Sequence, residues 1–290
     1  MSDFIILTDS SADLGADLTE RYDIQVLPLS FIVAGETYHN YPDNREMAPE
    51  VFYQKMREGV EATTSAVNVG QYTDFLEPQL RAGRDVLILS FSSALSATCS
   101  ASQIAAEELR EQYPQRKIYV VDTLCASLGQ GLLVCLAAQE RAKGRSIEEV
   151  RDFAEKKKAV ICHQFTVDDL SYLKRGGRIS ATTAVVGTML RIKPLIHVNE
   201  EGKLTSVGKA RGREASLKAL IDTMERTIID PADQTIFISH SDCLADARQV
   251  AQMARDRLGV KNAYINDIGP VIGAHTGPGT VALFYLGVER

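Results

Sequence analysis

Short apolar runs that end in polar loops and lead into helical patterns recur in the first half of the chain. Residues 4–7 are apolar, residues 8–11 are polar, and apolar side chains then follow at helical spacing as far as Tyr22. The same order begins again at the apolar residues 86–89 and 118–121, each followed by a longer helical pattern rich in small and apolar side chains. Strands that alternate with helices predict a parallel sheet covered on both faces.

The second half of the chain has a different pattern. Residues 160–167 predict a strand, and residues 168–173 predict a short helix that the pair Gly176-Gly177 ends. Residues 194–207 have the pattern of a β-hairpin, and residues 281–286 that of a buried strand. Hairpins mixed with helices are typical of an α+β arrangement.

These patterns predict the fold class and the position of a site. With 290 residues, the chain is long enough for two closely packed lobes. We predict an α/β fold with an N-terminal parallel-sheet α/β lobe over residues 1–158 and a C-terminal α+β lobe over residues 159–290. Ligands bind beyond the carboxyl ends of parallel strands, so a site is expected just after Leu7, Leu89 and Val121, where hydroxyl side chains are frequent.

Composition and charge exclude several classes of partner. With 45% hydrophobic and 24% charged residues, the chain has the composition of a globular protein. A net charge of -6 without a dense Lys/Arg stripe argues against nucleic acid. The longest apolar stretches, such as residues 132–138, are too short to span a bilayer, and the first ten residues lack a secretion signal. We therefore expect a cytoplasmic protein without membrane insertion.

Cysteine and histidine spacings give no metal site. The five cysteines are an odd number, lie far apart and mostly have apolar neighbours, so we expect reduced thiols in the core. No CxxC or HxxxH spacing occurs, and the phosphate-loop and dinucleotide patterns are missing. We therefore predict no metal and no cofactor. Four histidines have no partner at a useful spacing and are predicted to be structural or exposed: His39, His163, His197 and His240.

Four segments could carry chemistry, and three of them contain hydroxyl groups or a histidine. Residues 92–98 lie at a strand-to-helix turn, where free backbone N–H groups favour an anion, although a serine there also serves as an ordinary helix cap. Residues 63–65 offer hydroxyl groups that are equally typical of a turn without a ligand. Residues 273–279 place three glycines and a proline around His275 directly before a buried strand, which predicts a tightly specified loop whose histidine donates to an anion or is structural.

A fourth segment, residues 174–178, contains three cations around two glycines. Lys174 and Arg175 suit the last turn of a helix, where the helix dipole favours positive charge. Arg178 lies beyond the glycines and is either a buried arginine that orients a neighbour or a surface cation.

The order of these segments along the whole chain resembles the DegV family. The resemblance rests on the following motifs: Thr8-Asp9-Ser10-Ser11-Ala12-Asp13-Leu14, Val26-Leu27-Pro28-Leu29, Thr64-Ser65, Ser92-Ser93 with Leu95-Ser96, Val121-Asp122-Thr123, Tyr172-Leu173-Lys174-Arg175-Gly176-Gly177-Arg178-Ile179-Ser180, Lys193-Pro194, and His275-Thr276-Gly277-Pro278-Gly279. It implies a single DegV domain whose two lobes bury one palmitate-like long-chain fatty acid between them, with no enzymatic activity of its own.

The resemblance also implies roles for individual residues. Thr64 and Ser93 would hydrogen-bond the carboxylate, with His275 beside it, Arg178 supporting the polar network, and Ser65 and Ser96 as second choices. The bound acid would be presented to a separate fatty acid kinase that phosphorylates the carboxyl group for phospholipid synthesis, and Arg211 would lie on the kinase-docking face. The family usually continues Gln-Pro-Ser after Thr-Ser, whereas this chain has Ala66-Val67-Asn68, a more apolar loop near the head group.

Two other functions stay open at the level of sequence. A serine hydrolase acting on lipid esters or acyl phosphates would use Ser93 as nucleophile and His275 as base. Against it, Ser93 lacks the GxSxG pattern, and no acid that would orient the histidine is assignable. The other alternative is a sensor or scaffold whose bound lipid stabilises the fold, which predicts that lipid removal leaves partner binding unchanged.

Overall fold

A computed structural model describes residues 4–179, 192–288 and 290. The strands within these residues are β1 (Phe4–Asp9), β2 (Ile24–Leu27), β3 (Ser30–Val33), β4 (Glu36–His39), β5 (Ala62–Ser65), β6 (Asp85–Ser90), β7 (Ile118–Asp122), β8 (Ile161–Thr166), β9 (Ile192–Val198), β10 (Leu204–Arg211), β11 (Thr235–His240), β12 (Asn262–Asp267) and β13 (Val281–Leu286). The α-helices are α1 (Ala16–Arg21), α2 (Pro49–Arg57), α3 (Val69–Arg81), α4 (Thr98–Gln112), α5 (Leu128–Ala142), α6 (Ile147–Lys157), α7 (Ser171–Arg175), α8 (Arg213–Thr227), α9 (Leu244–Leu258) and α10 (Pro270–Thr276).

The first sheet is parallel throughout, in the order β2-β1-β6-β7. Its central strands carry side chains that are fully buried on both faces, such as Ile6 and Leu7 on β1. Burial on both faces explains why these strands are continuous apolar runs in the sequence instead of alternating ones. The predicted parallel sheet is confirmed.

The second sheet has six strands in the order β10-β9-β8-β13-β11-β12. Only β11 and β12 pair in parallel, and the other neighbours are antiparallel. The predicted hairpin is β9 and β10, which extend beyond the expected residues at both ends, and the predicted buried strand is β13 in the interior of the sheet. The fold class is therefore α/β as predicted, with a mixed sheet in the second half. The boundary between residues 158 and 159 stays a prediction.

Helix α5 separates the two larger sheets. It packs against β1 and β6 of the first sheet and against β8, β11 and β13 of the second. Its side chains are buried almost all round, among them Leu128, Leu132 and Leu133. A helix that is apolar on every side belongs in the interior of a protein. Helix α5 therefore forms the shared core between the first sheet and the second.

A small third sheet, in the order β4-β3-β5, lies in the first half of the chain and was not predicted from the sequence. It corrects the expected turn at residues 63–65, because these residues belong to β5, where Thr64 pairs with Phe31 of β3. Helix α3 then begins after Asn68, whose side chain accepts from the backbone N–H of Gln71 in a capping box.

The expected loop around His275 is also corrected. Residues 270–276 form helix α10, which begins with Pro270 at its first position and ends at Gly277, where φ is +77°. A proline at the first helical position needs no backbone N–H, and a glycine with positive φ is a common helix end. His275 therefore lies in the last turn of a helix and not in a free loop.

The structure also bears on three further features: the cysteines, membrane-spanning helices and metal sites. None of the five cysteines, all of which are among the described residues, forms a disulfide, and only Cys243 is partly exposed. Within residues 4–179, 192–288 and 290, no helix has the length and apolar character needed to cross a bilayer. The same residues contain no group of three or more His, Cys, Asp or Glu side chains placed to hold a metal ion.

Candidate functional site

A cavity of about 220 Å³ lies between elements of the first half of the chain and the second sheet. The sequence predicted a site after Leu7, Leu89 and Val121. Residues 91 and 95–97 after β6 and residues 126 and 127 after β7 line the cavity, whereas residues 8–11 after Leu7 do not. Most of its wall is apolar, including Leu29, Phe91 and Leu95 from the first half and Phe165, Val271 and Phe284 from the second. An apolar cavity with a few convergent polar groups is the usual form of a small-molecule site.

Thr64 and His275 meet on the wall of this cavity. The hydroxyl of Thr64 and Nε2 of His275 are 2.8 Å apart and hydrogen-bonded. Strand β5 supplies the threonine and helix α10 the histidine, and these two elements pack directly against each other. The sequence prediction named both residues, and the structure brings them together.

His275 is uncharged at neutral pH. Burial, assisted by the nearby guanidinium groups of Arg178 and Arg175, lowers the pKa of His275 to about 4. Its Nδ1 is buried and has no hydrogen-bond partner among the described residues. Gly176 explains how the ring fits, because a Cβ at this position would lie 2.3 Å from Nδ1. The glycine therefore permits the close approach of helices α7 and α10.

Arg178 is the one arginine or lysine among the described residues that line the cavity. Its Nε donates to the carbonyl of Leu95 at 3.2 Å, and its Nη1 donates to the carbonyl of Gly176. Burial lowers the pKa of Arg178, although an arginine stays protonated at any ordinary pH. These bonds tie the guanidinium to the backbone beside Ser96 and His275. A half-buried cation in an apolar wall favours an anionic ligand.

Ser96, and not Ser93, lines the cavity. Ser96 precedes helix α4, and its hydroxyl accepts from the backbone N–H of Thr98 at 3.2 Å. Ser93 is exposed, and its backbone N–H donates to the carboxylate of Asp122. Ser65 is also exposed and outside the cavity lining. The structure therefore brings together four of the six predicted ligand residues: Thr64, Ser96, Arg178 and His275.

Three further positions from the sequence are Ala66, Arg211 and Ser180. Ala66, the first residue of the loop that departs from the DegV pattern, lines the cavity two residues after Thr64. Arg211 is exposed at the end of β10 and is not among the residues that line the cavity. Ser180, the last residue of its motif, lies outside the described residues.

His163 lines the cavity from β8, although the sequence predicted only a structural or exposed residue at this position. Its Nε2 accepts from the backbone N–H of Ala126 at 3.3 Å, and its Nδ1 is 3.1 Å from the carbonyl of Ile161. Burial lowers the pKa of His163 well below its usual value, so the ring is neutral with its proton on Nδ1. The only signal in the sequence was a histidine inside an otherwise buried strand.

A buried polar network joins the two halves of the chain beside the cavity. The hydroxyl of Ser127, which lines the cavity, donates to Asp13 at 2.5 Å and is 2.9 Å from the hydroxyl of Ser239. The other carboxyl oxygen of Asp13 accepts from the backbone N–H of Gly269 at 2.9 Å. Burial raises the pKa of Asp13 to about 8, so this carboxyl group is largely protonated at neutral pH.

The family profile described as "Uncharacterised protein, DegV family" matches residues 3–288. The chain belongs to the DegV family. A DegV domain-containing protein of Clostridium perfringens is 47% identical over 287 residues, which cover 99% of this chain and 98% of that protein. A further relative, the DegV domain-containing protein YteA of Lactococcus lactis, is 34% identical and covers 97% of this chain and 96% of its own length.

Two solved DegV structures align with the whole fold. A DegV protein of Thermotoga maritima, described as a lipid-binding protein, has a TM-score of 0.86 and 30% identity and covers 100% of both chains. A DegV family protein of Thermus thermophilus, described by its fatty acid binding, has a TM-score of 0.84 and 31% identity and covers 99% of this chain and 100% of its own. The DegV fold of this chain is therefore shared over its full length.

Proposed function

We propose that this DegV protein binds one long-chain fatty acid, such as palmitate, in the cavity between its two halves. The observation that carries the proposal is a mostly apolar cavity whose polar lining includes Thr64 hydrogen-bonded to His275, together with Ser96 and Arg178, which is bonded to the carbonyl of Leu95. The DegV structures from Thermotoga maritima and Thermus thermophilus are described as lipid-binding and fatty-acid-binding proteins, which supports the same ligand class.

The two parts of the cavity have different tasks in this proposal. Each methylene group that leaves water contributes about 0.8 kcal/mol, so the acyl tail supplies most of the affinity. Each hydrogen bond to the charged carboxylate adds only about 1.5 to 3 kcal/mol, but a buried carboxylate without partners would cost more than that. Thr64 and Ser96 donate hydroxyl hydrogens to the carboxylate, and Arg178 balances its charge. Because Thr64 has only one hydroxyl hydrogen, Nε2–H of neutral His275 donates to the Thr64 oxygen. The cluster therefore fixes the orientation of the acid.

The test is to extract the protein as purified and to quantify the released lipids by mass spectrometry against protein concentration. We expect about one fatty acid per chain, because the proposal places a single acid in the cavity that Thr64 and Arg178 line. The Ala282→Phe variant is the matched control, because Ala282 lines the cavity and a phenyl ring there would occupy the space of the tail. Equal amounts of lipid from both proteins, or none from a folded wild type that also refuses added fatty acid, would contradict the proposal.

We propose a carrier role and not hydrolysis. The contacts described above give His275 a hydroxyl partner in Thr64, whereas Ser93 is exposed and outside the cavity lining. A nucleophile and its general base must lie within hydrogen-bond reach, which argues against this pair as a catalytic dyad. Turnover of a chromogenic fatty ester by the wild type, lost in Ser93→Ala, would instead support the hydrolase.

We also propose that the protein works in the cytoplasm and presents its fatty acid to a separate fatty acid kinase, which would form an acyl phosphate for phospholipid synthesis. Arg211 supports a docking role because it is exposed at the end of β10. The test combines the loaded protein, ATP and the soluble fraction of its source cells, with acyl phosphate trapped by hydroxylamine. We expect Arg211→Ala to slow trapping and Lys203→Ala, an exposed lysine on the same hairpin, to leave it unchanged. An unchanged trapping rate in Arg211→Ala would refute this docking surface. Binding of the partner that is equally tight with and without lipid would instead favour the scaffold function.

A further inference from the structure

A second, larger cavity is lined by residues of helices α1 and α5 and of strands β11, β12 and β13 of the second sheet. Its volume is about 600 Å³. Its apolar wall comes from Leu18, Leu132, Cys135, Phe237, Tyr264 and Leu286. Polar side chains that are exposed, such as Gln139 and Asn262, lie at its edge. The exposed charged side chains of Arg21 and Asp233 also line it, so the apolar residues form one part of the wall. A cavity of this size is within the range of small-molecule sites.

One row of side chains on the second sheet connects the two cavities. His163 of β8 pairs with Phe284 of β13, Phe284 pairs with Phe237 of β11, and Phe237 pairs with Tyr264 of β12. Paired residues on neighbouring strands project from the same face of a sheet, with Cβ atoms about 5 Å apart. His163 and Phe284 line the first cavity, and Phe237 and Tyr264 line the second. The boundary between the cavities therefore falls between Phe284 and Phe237.

Helix α5 packs against β8, β11 and β13, which carry three residues of this row, and it lies beside both cavities. Ser127, the residue directly before the helix, lines the first cavity, and Leu132 and Cys135 of the helix line the second. The two cavities thus follow one another along the same helix and the same sheet face. Phe284 of the first cavity wall and Phe237 of the second are paired residues on neighbouring strands and belong to the same buried core.

Each ring of the pair is held by a neighbour in the row. The ring of Phe284 packs edge-on against His163, with centroids 5.2 Å apart. The ring of Phe237 lies tilted against Tyr264, also with centroids 5.2 Å apart. Both phenylalanines are buried. Aromatic pairs at these distances stabilise one ring orientation, so each phenylalanine ring is held in place by its neighbour on the sheet.

We propose that Phe237 and Phe284 form a partition that sets the longest acyl chain the first cavity accepts. The inference rests on the proposed fatty-acid function and adds the residues that determine chain length. The occupant of the second cavity, once the partition is removed, is the methyl end of a longer acyl chain whose carboxylate stays at Thr64 and Arg178. The apolar part of its wall, which includes Phe237, Leu132 and Leu136, and its alignment with the first cavity fit an acyl chain, which has no polar group that needs a partner there.

The experiment compares hexadecanoic and docosanoic acid, each measured by displacement of a fluorescent fatty acid. In Phe237→Ala the removed ring joins the cavities, and we expect the affinity for docosanoic acid relative to hexadecanoic acid to rise about tenfold over the wild type. Phe237→Leu, which keeps more of the core, is expected to give a smaller rise in the same direction. Ile238→Ala is the matched control, because Ile238 is the next residue on β11 and is buried on the opposite face, in the core formed with α8 and α9.

A second variant shows where the longer tail lies. Leu136 lines the second cavity from helix α5, so Leu136→Trp combined with Phe237→Ala should return the affinity ratio to the wild-type value. A ratio that stays at the wild-type value in both Phe237 variants, or that rises equally in Ile238→Ala, would overturn the partition while leaving fatty-acid binding intact. A wild type that binds neither acid would instead refute the proposed function and, with it, the inference.

Discussion

Thr64 and His275 lie 211 residues apart in the chain, yet their side chains form a hydrogen bond of 2.8 Å on the cavity wall. The histidine is neutral because burial lowers its pKa to about 4, so its Nε2–H can donate to the hydroxyl oxygen of Thr64 without placing a charge in the cavity. Charge at this end of the cavity therefore comes from Arg178, and orientation comes from the hydroxyl groups.

Removal of one hydroxyl tests this division. We expect Thr64→Val and Ser96→Ala each to weaken fatty-acid binding by about 1.5 to 3 kcal/mol, which is roughly ten- to a hundredfold, because a hydrogen bond to a charged group is lost. The measurement is titration calorimetry with hexadecanoic acid. Ser93→Ala is the matched control, since this exposed serine should leave the affinity unchanged. An equal loss in all three variants would mean that the carboxylate lies elsewhere.

A block in the tail region should act more strongly than the loss of a hydroxyl. Ala282 is buried on β13 and lines the cavity, so Ala282→Phe fills space that the acyl chain needs. We expect binding to fall below detection in the same calorimetric titration, since each displaced methylene group forfeits about 0.8 kcal/mol. A circular dichroism melt without lipid checks that the variant is folded. Residual affinity close to that of the hydroxyl variants would contradict the assignment of this region to the tail.

Gly176 should be required because it has no side chain, and not because its backbone conformation is one that favours glycine. Its φ of -68° and ψ of -11° are helical and suit alanine, but the added Cβ would lie 2.3 Å from Nδ1 of His275. We expect Gly176→Ala to lower the free energy of unfolding by about 1 to 3 kcal/mol, measured by urea titration. The same change in a His275→Ala background should cost less, because the clash is gone. Additive effects of the two substitutions would argue against this contact.

Asp13 should make stability depend on pH in a defined direction. Its pKa is raised from 3.8 to about 8 in the folded protein, so between these values the folded chain holds a proton that the unfolded chain releases. The contribution of Asp13 to stability is therefore complete below pH 4 and declines as the pH rises to about 8. We expect the decline across this window to be smaller in Asp13→Asn, as measured by urea unfolding at a series of pH values. Parallel pH profiles for the two proteins would contradict the raised pKa.

Local patterns in the sequence predicted the elements that are long or strongly apolar. The parallel strands and the β9–β10 hairpin follow from short-range periodicity, which tertiary packing then leaves in place. Strand β5 has only four residues with mixed exposure, so its hydroxyl groups resembled a turn. The glycines around His275 likewise concealed helix α10. Gly273 lies inside this helix, where an added Cβ would clash with Tyr53 of α2, and Gly277 ends the helix with a positive φ.

The choice among neighbouring serines could not be made from the sequence. Ser93 and Ser96 are on the same turn before helix α4, and the one that faces the cavity is determined by how this turn packs against Arg178 through the carbonyl of Leu95. His163 escaped notice for a related reason. Strand β8 is buried along its whole length, so its sequence gives no alternation to indicate which side chains face the ligand cavity.

The walls of the cavity come from both halves of the chain, so a bound ligand would become part of the hydrophobic core between them. A ligand that binds only the folded state raises the free energy of unfolding by an amount set by its concentration relative to its dissociation constant. Supply of the acid and lifetime of the protein would then be coupled. When lipid is scarce, the unfilled interior would make the chain an easier substrate for proteases, so its abundance would report on the acyl chains available to the cell.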